Sequence, residues 1–208
     1  IPTPVDTDIF CPQESQSLLD NHRGNESPNI IFTFIASDPY NDYRKNLIFA
    51  VNCFKTIKNR LDSKFSIELY VLGGDLQFIQ DKYILEGIRH FGYIENPVIR
   101  SQIISQSFLH LTPSIDDNVP NTTLEALACG CPLASNNVGG LSELTHHQSN
   151  GFLFNSLDQE LWVGSLIYYV QNIHCLFPKF SKYSRHMAMN HYSSQSVFKS
   201  WQSLLTVK

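Results

Sequence analysis

Two acids, two cations and two glycine turns stand out for what their types and spacing could do. Asp117 and Glu125 are separated by seven residues, with Pro120-Asn121-Thr122-Thr123 between them. A carboxylate such as Glu125 offers two acceptor oxygens and no competing donor. A plain reading is that Thr122 to Glu125 forms a Thr-x-x-Glu capping box, in which the glutamate only closes off a helix start. Asp116 and Asp117 could equally be turn residues favoured ahead of a helix N-terminus. Arg44 and Lys45 follow an apolar run and open an expected helix, the wrong end for cations because the macrodipole is positive there. Either they are solvated surface charges, or an anion sits among them and the helix N–H groups. Gly73-Gly74 and Gly139-Gly140 each close an apolar run, where a backbone turn comes close to something else.

Residues 113–140 hold most of this chemistry. An apolar strand (Phe108 to Leu111) enters a polar turn, a short helix carries Glu125, and Gly130 and Pro132 stop that helix in the usual order. A second strand, Cys131 to Ser135, empties into Gly139-Gly140. Strand, polar loop, helix N-terminus, strand and glycine loop is how an α/β sheet builds a ligand crevice at its carboxyl edge.

The stretch resembles the donor-site signature of the family 4 retaining glycosyltransferases. That signature is an acid, seven residues and a glutamate, then Ala-[Leu/Met]-Ala-x-Gly-x-Pro-[Val/Leu], a short strand and Gly-Gly-x-x-Glu. Here it reads Asp117, Glu125-Ala126-Leu127-Ala128-Cys129-Gly130-Cys131-Pro132-Leu133 and Gly139-Gly140-Leu141-Ser142-Glu143. Asp117 to Thr122 is similar to an Asp-Asn-x-Pro-Asn-Thr subgroup. The resemblance implies the C-terminal, donor-binding lobe of a two-lobed GT-B enzyme, with an α/β, doubly wound, Rossmann-like parallel sheet. It implies transfer of a hexose from a UDP- or GDP-sugar to a saccharide or lipid-linked acceptor, without a cofactor or metal. Arg44 and Lys45 would hold the donor diphosphate, although the family often has Arg-Lys-Gly and Asn46 stands in the glycine's place. Glu125 would accept from the ribose hydroxyls, and Asp117, with Asn118, would meet the transferred sugar. The N–H groups of Asn121, Thr122 and Thr123 would face phosphate or sugar oxygens. Tyr93 and Ile94 resemble the turn against the base, with Gly73 near the same edge, and Gly139 and Gly140 lie beside the sugar. Retention would proceed through a front-face, oxocarbenium-like path in which a phosphate oxygen serves as base. The family's catalytic histidine and acceptor-binding residues belong to an N-terminal lobe that these residues do not include. Rival readings are a GT-B nucleotide-sugar 2-epimerase and a non-catalytic nucleotide-sugar-binding module.

Elements must position these residues, and strands alternating with helices imply a parallel sheet. Strands are expected at Asn29 to Ala36, Ile67 to Leu72, Ile88 to Ile94 and Gly151 to Phe154. Helices are expected from Tyr43 to Leu61, Gln77 to Glu86, Asn96-Pro97 to about Ser107, and Leu157 to Ile173, with one or two more from Lys179 to Val207. Residues 1–28 read as an incoming linker and polar loop, 29–178 as the nucleotide-sugar-binding domain, and 179–208 as helices that pack toward the other lobe with an apolar face left exposed.

Composition narrows the classes. The 208 residues are 42% hydrophobic and 12% aromatic, enough for a full core. A net charge of −4 gives no bulk attraction for nucleic acid or anionic membrane. No apolar run approaches the ~18–20 residues that span a bilayer. The chain begins at Ile1 without methionine, which reads as a fragment of a cytoplasmic enzyme, membrane-associated if at all through its other lobe. Five cysteines without Cys-x-x-Cys spacing fit reduced thiols. Asp6-Thr7-Asp8 matches a metal-binding Asp-x-Asp in type, but that motif should follow a strand and this one sits between prolines at the chain end; His146-His147 reads as an ordinary surface turn. The Asn25 and Asn121 sequons read as chance matches.

Overall fold

The computed structural model describes residues 3–12, 29–63 and 65–206. Most of the expected linker and polar loop, including the Asn25 sequon, lies outside the described residues. Six strands form one parallel sheet: β1 (Asn29–Ile35), β2 (Ser66–Leu72), β3 (Ile88–Gly92), β4 (Leu109–Thr112), β5 (Leu133–Asn136) and β6 (Gly151–Phe154), in the order β3-β2-β1-β4-β5-β6. This is the doubly wound order, with its reversal between β1 and β4.

The unbroken apolar run of β1 follows from burial on both faces. Ile30, Phe32 and Phe34 enter one core with Val51 and Phe54 of α1 (Leu47–Arg60) and Trp162 of α5 (Gln159–Gln171). Trp162 stacks on Phe154 with centroids 4.2 Å apart. Ile31 and Ile35 enter the opposite core with Leu124 and Leu127 of α3 (Asn121–Ala128). Thr33 alternates with them, so it and its register partner His110 lie on the sheet face that α3 covers. Two further helices precede the C-terminal segment: α2 (Pro97–Ile104), whose Asn96 cap accepts from the Val98 and Ile99 amides, and the short α4 (Leu141–Leu144).

Three elements depart from the expected pattern. The helix expected from Tyr43 starts only at Leu47. Residues Tyr43–Lys45 form a separate 3-10 turn, and Asn46 breaks the path with φ 58°, ψ 47°. Asparagine tolerates this left-handed conformation better than most side chains, so it can stand where the family often has glycine. The stretch expected to be a helix at Gln77 to Glu86 holds two 3-10 turns, Leu76–Phe78 and Asp81–Tyr83. Only Tyr83 in these turns is buried, too little to hold an amphipathic helix on the sheet. At the C-terminus, α6 (Ile173–Met187) continues through Pro178, so the boundary expected at 178/179 falls inside a helix. A π-turn (Ala188–Tyr192) and α7 (Ser194–Thr206) follow. Phe198, Trp201, Leu204 and Leu205 of α7 are all more than half exposed.

Among the described residues, no helix is long and apolar enough to cross a membrane. No group of three or more His, Cys, Asp or Glu among them could hold a metal ion. Asp6 Oδ1 caps a turn by accepting from the Asp8 and Ile9 amides. His146 contacts the Tyr183 hydroxyl, and His147 Nδ1 accepts from the Leu153 amide. The five cysteines are free, and burial pushes the Cys129 thiol up to about 12.

Candidate active site at the carboxyl edge of the sheet

Loops leaving β1 and β4 diverge at the reversal of strand order, and a crevice of about 350 Å³ opens there. Its floor comes from Ile35 to Ser37 after β1 and from Leu72 and Gly73 after β2. Tyr93 and Ile94 after β3 form one wall. The N-terminal turn of α3, with Pro120, Asn121, Thr122 and Glu125, forms the other. Gly73 is required where it stands: its φ is +110°, and a Cβ there would lie 1.6 Å from the Ala36 carbonyl oxygen.

The start of α3 has no side-chain cap, because the residue before it is Pro120. Asn121 and Thr122 occupy the first two helical positions, whose N–H groups find no acceptor within a helix, and both residues line the crevice. Thr123 does not join them. Its amide donates to the Pro120 carbonyl and its side chain is fully buried under the helix. The capping box also fails to form. The Thr122 hydroxyl makes a long contact (3.4 Å) to the Ile35 carbonyl, and the Glu125 carboxylate faces a different partner.

That partner is Arg100 of α2. Its Nε and Nη2 donate to the two oxygens of Glu125 at 2.9 and 2.8 Å, and its Nη1 donates to the Ile94 carbonyl at 2.9 Å. Arg100 lines the crevice beside Glu125. It carries no motif; the only trace it leaves in the sequence is that it is the sole charge in an otherwise uncharged helix, Pro97–Ile104.

The second pair lies at the other end. Lys45 Nζ meets Asp117 Oδ2 at 2.6 Å, and the Ser114 hydroxyl donates to the same oxygen at 3.1 Å. The Ser114 carbonyl in turn accepts from buried Asn136. Asn46 Nδ2 donates to the Pro113 carbonyl, tying the Lys45 turn to the loop that carries Asp117. Gly139 presses on that loop from behind. Its φ is +48°, and a Cβ there would lie 1.7 Å from the Asp117 carbonyl oxygen. The Gly140 amide donates to the Asn118 carbonyl.

Of the residues singled out from sequence, Lys45, Gly73, Tyr93, Ile94, Asn121, Thr122 and Glu125 line one crevice. Asp117 joins Lys45 at its margin. Asn118, Gly139 and Gly140 lie behind Asp117 and shape its loop. Arg44 is not among the lining residues. Its guanidinium is forked onto Asp42 at 3.0 and 2.8 Å, which holds the Asp42 carboxyl below its usual range.

A family profile described as "Glycosyl transferases group 1" matches residues 29–172, which carry the whole crevice. The chain belongs to that family. The group 1 glycosyl transferase chain is 26% identical over 115 residues to an uncharacterized glycosyltransferase of Methanocaldococcus jannaschii, covering 52% of this chain and 28% of that protein. In fold it is similar to the sucrose-phosphate synthase of Thermosynechococcus elongatus (TM-score 0.77, 17% identity, 100% of this chain and 53% of that one). It is also similar to HepE of Anabaena, solved with UDP-glucose (TM-score 0.73, 16% identity, 99% and 56%). A third match is the C-terminal domain of a group 1 glycosyl transferase (LpcC) of Francisella tularensis, at TM-score 0.70 and 16% identity, covering 92% of this chain and 100% of that domain. The chain thus spans about half the length of the synthase and of HepE, and just over a quarter of the curated relative. Its Rossmann-like sheet matches the C-terminal domains of GT-B glycosyltransferases.

Proposed function

We propose that the crevice is the donor site of a retaining, family 4 hexosyltransferase that uses a UDP- or GDP-sugar and a saccharide or lipid-linked acceptor. The observation that carries the reading is the convergence of Lys45, Glu125 and the uncapped start of α3 on one crevice at the sheet's switch point. Glu125 accepts from the ribose, the Tyr93–Ile94 turn covers the base, and Asp117 steadies the sugar near its anomeric carbon. Lys45 and the Asn121 and Thr122 amides take the diphosphate. These donors stabilise the charge that grows on the departing diphosphate, so the reaction needs no metal. The acceptor hydroxyl loses its proton to a phosphate oxygen as the glycosidic bond to the leaving group breaks. Acceptor binding falls to a second lobe, and the enzyme works in the cytoplasm. HepE, of the same fold, has been solved with UDP and with UDP-glucose, which supports a nucleotide-sugar donor here.

Calorimetric titration of the chain with UDP and GDP, without metal and then with EDTA, tests the reading. Saturable, EDTA-insensitive binding of one nucleotide is expected and identifies the base class. Binding that requires added metal would reject the metal-free site, and binding of neither nucleotide would reject the donor site in this chain.

A further inference from the structure

We infer that Arg100 is the positioning residue that makes the site selective for ribonucleotides over 2′-deoxyribonucleotides. The inference rests on the donor-site reading of Glu125. A carboxylate has about four lone-pair positions on its two oxygens. The Arg100 fork takes one on each oxygen, leaving one per oxygen for a vicinal diol. The fork does more than neutralise: its planar donors fix the carboxylate in one plane. The third nitrogen, Nη1, holds the carbonyl of Ile94 in the base-facing wall. The guanidinium also lies 5.4 Å from the centroid of the Phe10 ring, which backs it from outside the crevice. One guanidinium therefore sets the spacing between the wall that meets the base and the acid that meets the sugar hydroxyls. With Glu125 rigid, a ligand lacking one hydroxyl leaves one oriented acceptor unpaired, a loss that a swivelling carboxylate would soften.

Arg100→Lys keeps the charge but loses the fork and cannot hold Ile94 and both Glu125 oxygens together. The test titrates the chain and its Arg100→Lys, Glu125→Gln and doubly substituted forms with UDP, GDP, their 2′-deoxy counterparts and inorganic pyrophosphate. The unsubstituted chain should prefer the ribonucleotide by about tenfold, the scale of one hydrogen bond to a charged acceptor. Arg100→Lys should bring that preference close to one while leaving pyrophosphate affinity within about twofold, since the local charge is conserved. In ribose preference the double substitution should match Glu125→Gln, because both act on that preference through the same carboxylate.

Full ribose preference in Arg100→Lys overturns the inference, as does an equal loss for ribonucleotide, deoxyribonucleotide and pyrophosphate, the mark of a general structural role. In either case the donor site stands. Absence of any nucleotide binding by the unsubstituted chain, or a ribose preference that Glu125→Gln leaves intact, removes the reading of Glu125 and this inference with it.

Discussion

The two ends of the crevice hold ion pairs of equal burial and unequal geometry. In both the Lys45–Asp117 and the Arg100–Glu125 pair the cation is 21% exposed and the acid 11%. Burial cannot distinguish them, but their donors can. Arg100 engages two oxygens in a fixed plane and a carbonyl besides, whereas Lys45 meets a single carboxylate oxygen with a rotatable ammonium. The first pair is a frame, held by three donor contacts from one planar group. The second is a point contact: one ammonium on one carboxylate oxygen, which the Ser114 hydroxyl also reaches. Arginine and lysine thus make ion pairs of equal burial but different rigidity.

Buried His110 gives the fold an acid sensitivity of its own, apart from either pair. Burial pushes the His110 imidazole down to about 4 from its ordinary 6.5. Between those values the unfolded chain binds the proton and the folded chain does not, so stability present above pH 6.5 is lost as the pH falls toward 4. The full loss is about 3 kcal/mol. His110→Leu should remove that part of the acid sensitivity, seen as urea midpoints that fall less between those two pH values. Nε2 of His110 has no hydrogen-bond partner among the described residues, and Nδ1 has only the Thr33 hydroxyl at 3.3 Å, so the apolar replacement should cost about 1 kcal/mol at neutral pH.

Against that background, Glu125→Ala should destabilise the fold by about 2 kcal/mol by stranding the guanidinium, below the figure for a fully buried pair because both groups reach solvent. Asp117→Ala should cost under about 1 kcal/mol, since a released ammonium can turn to water. Equal losses in chemical denaturation would erase the distinction between frame and contact. Binding should reverse the order of importance for the cations. Lys45→Ala should weaken nucleoside diphosphate by about 1.5 kcal/mol, the low end for a charged contact because the lysine must first leave Asp117. Arg44→Ala, already committed to Asp42 and well exposed, should change that affinity by less than about twofold. A loss with Arg44→Ala as large as with Lys45→Ala would place the guanidinium on the ligand after all.

The sheet was legible because its signals are local and redundant. The apolar run of β1, the Asn96-Pro97 helix start and the Gly130-Pro132 stop each state their own geometry. The crevice was legible where backbone carries it, as at Gly73 and the start of α3. Side-chain pairing was not. Nothing at Glu125 says that Arg100, from a preceding helix, will take its carboxylate in place of the capping-box amide, because that contact exists only once α2 and α3 are packed. Arg44 and Lys45 read as equivalent neighbours, yet a 3-10 turn sends one to Asp42 and the other to Asp117. Pro178 hid the start of α6, since a proline usually marks a helix boundary and here the helix continues through it.

Far from the crevice, one guanidinium gathers three separate stretches of chain. Arg185 of α6 donates to the carbonyls of Thr7 and Phe10 and to that of Ala128, the last residue of α3. The helix is therefore gripped at its closed end, while its open end stands at the crevice, about 12 Å away at 1.5 Å per residue. Residues 123–128 are all buried, so the rod has little room to bend. A displacement of the segment around Thr7 has a short mechanical path to the Asn121 and Thr122 amides: through the clamp, along the rod, and out at the tip. Residues 3–12 line no part of the crevice yet are coupled to it twice, through this clamp and through Phe10 against Arg100.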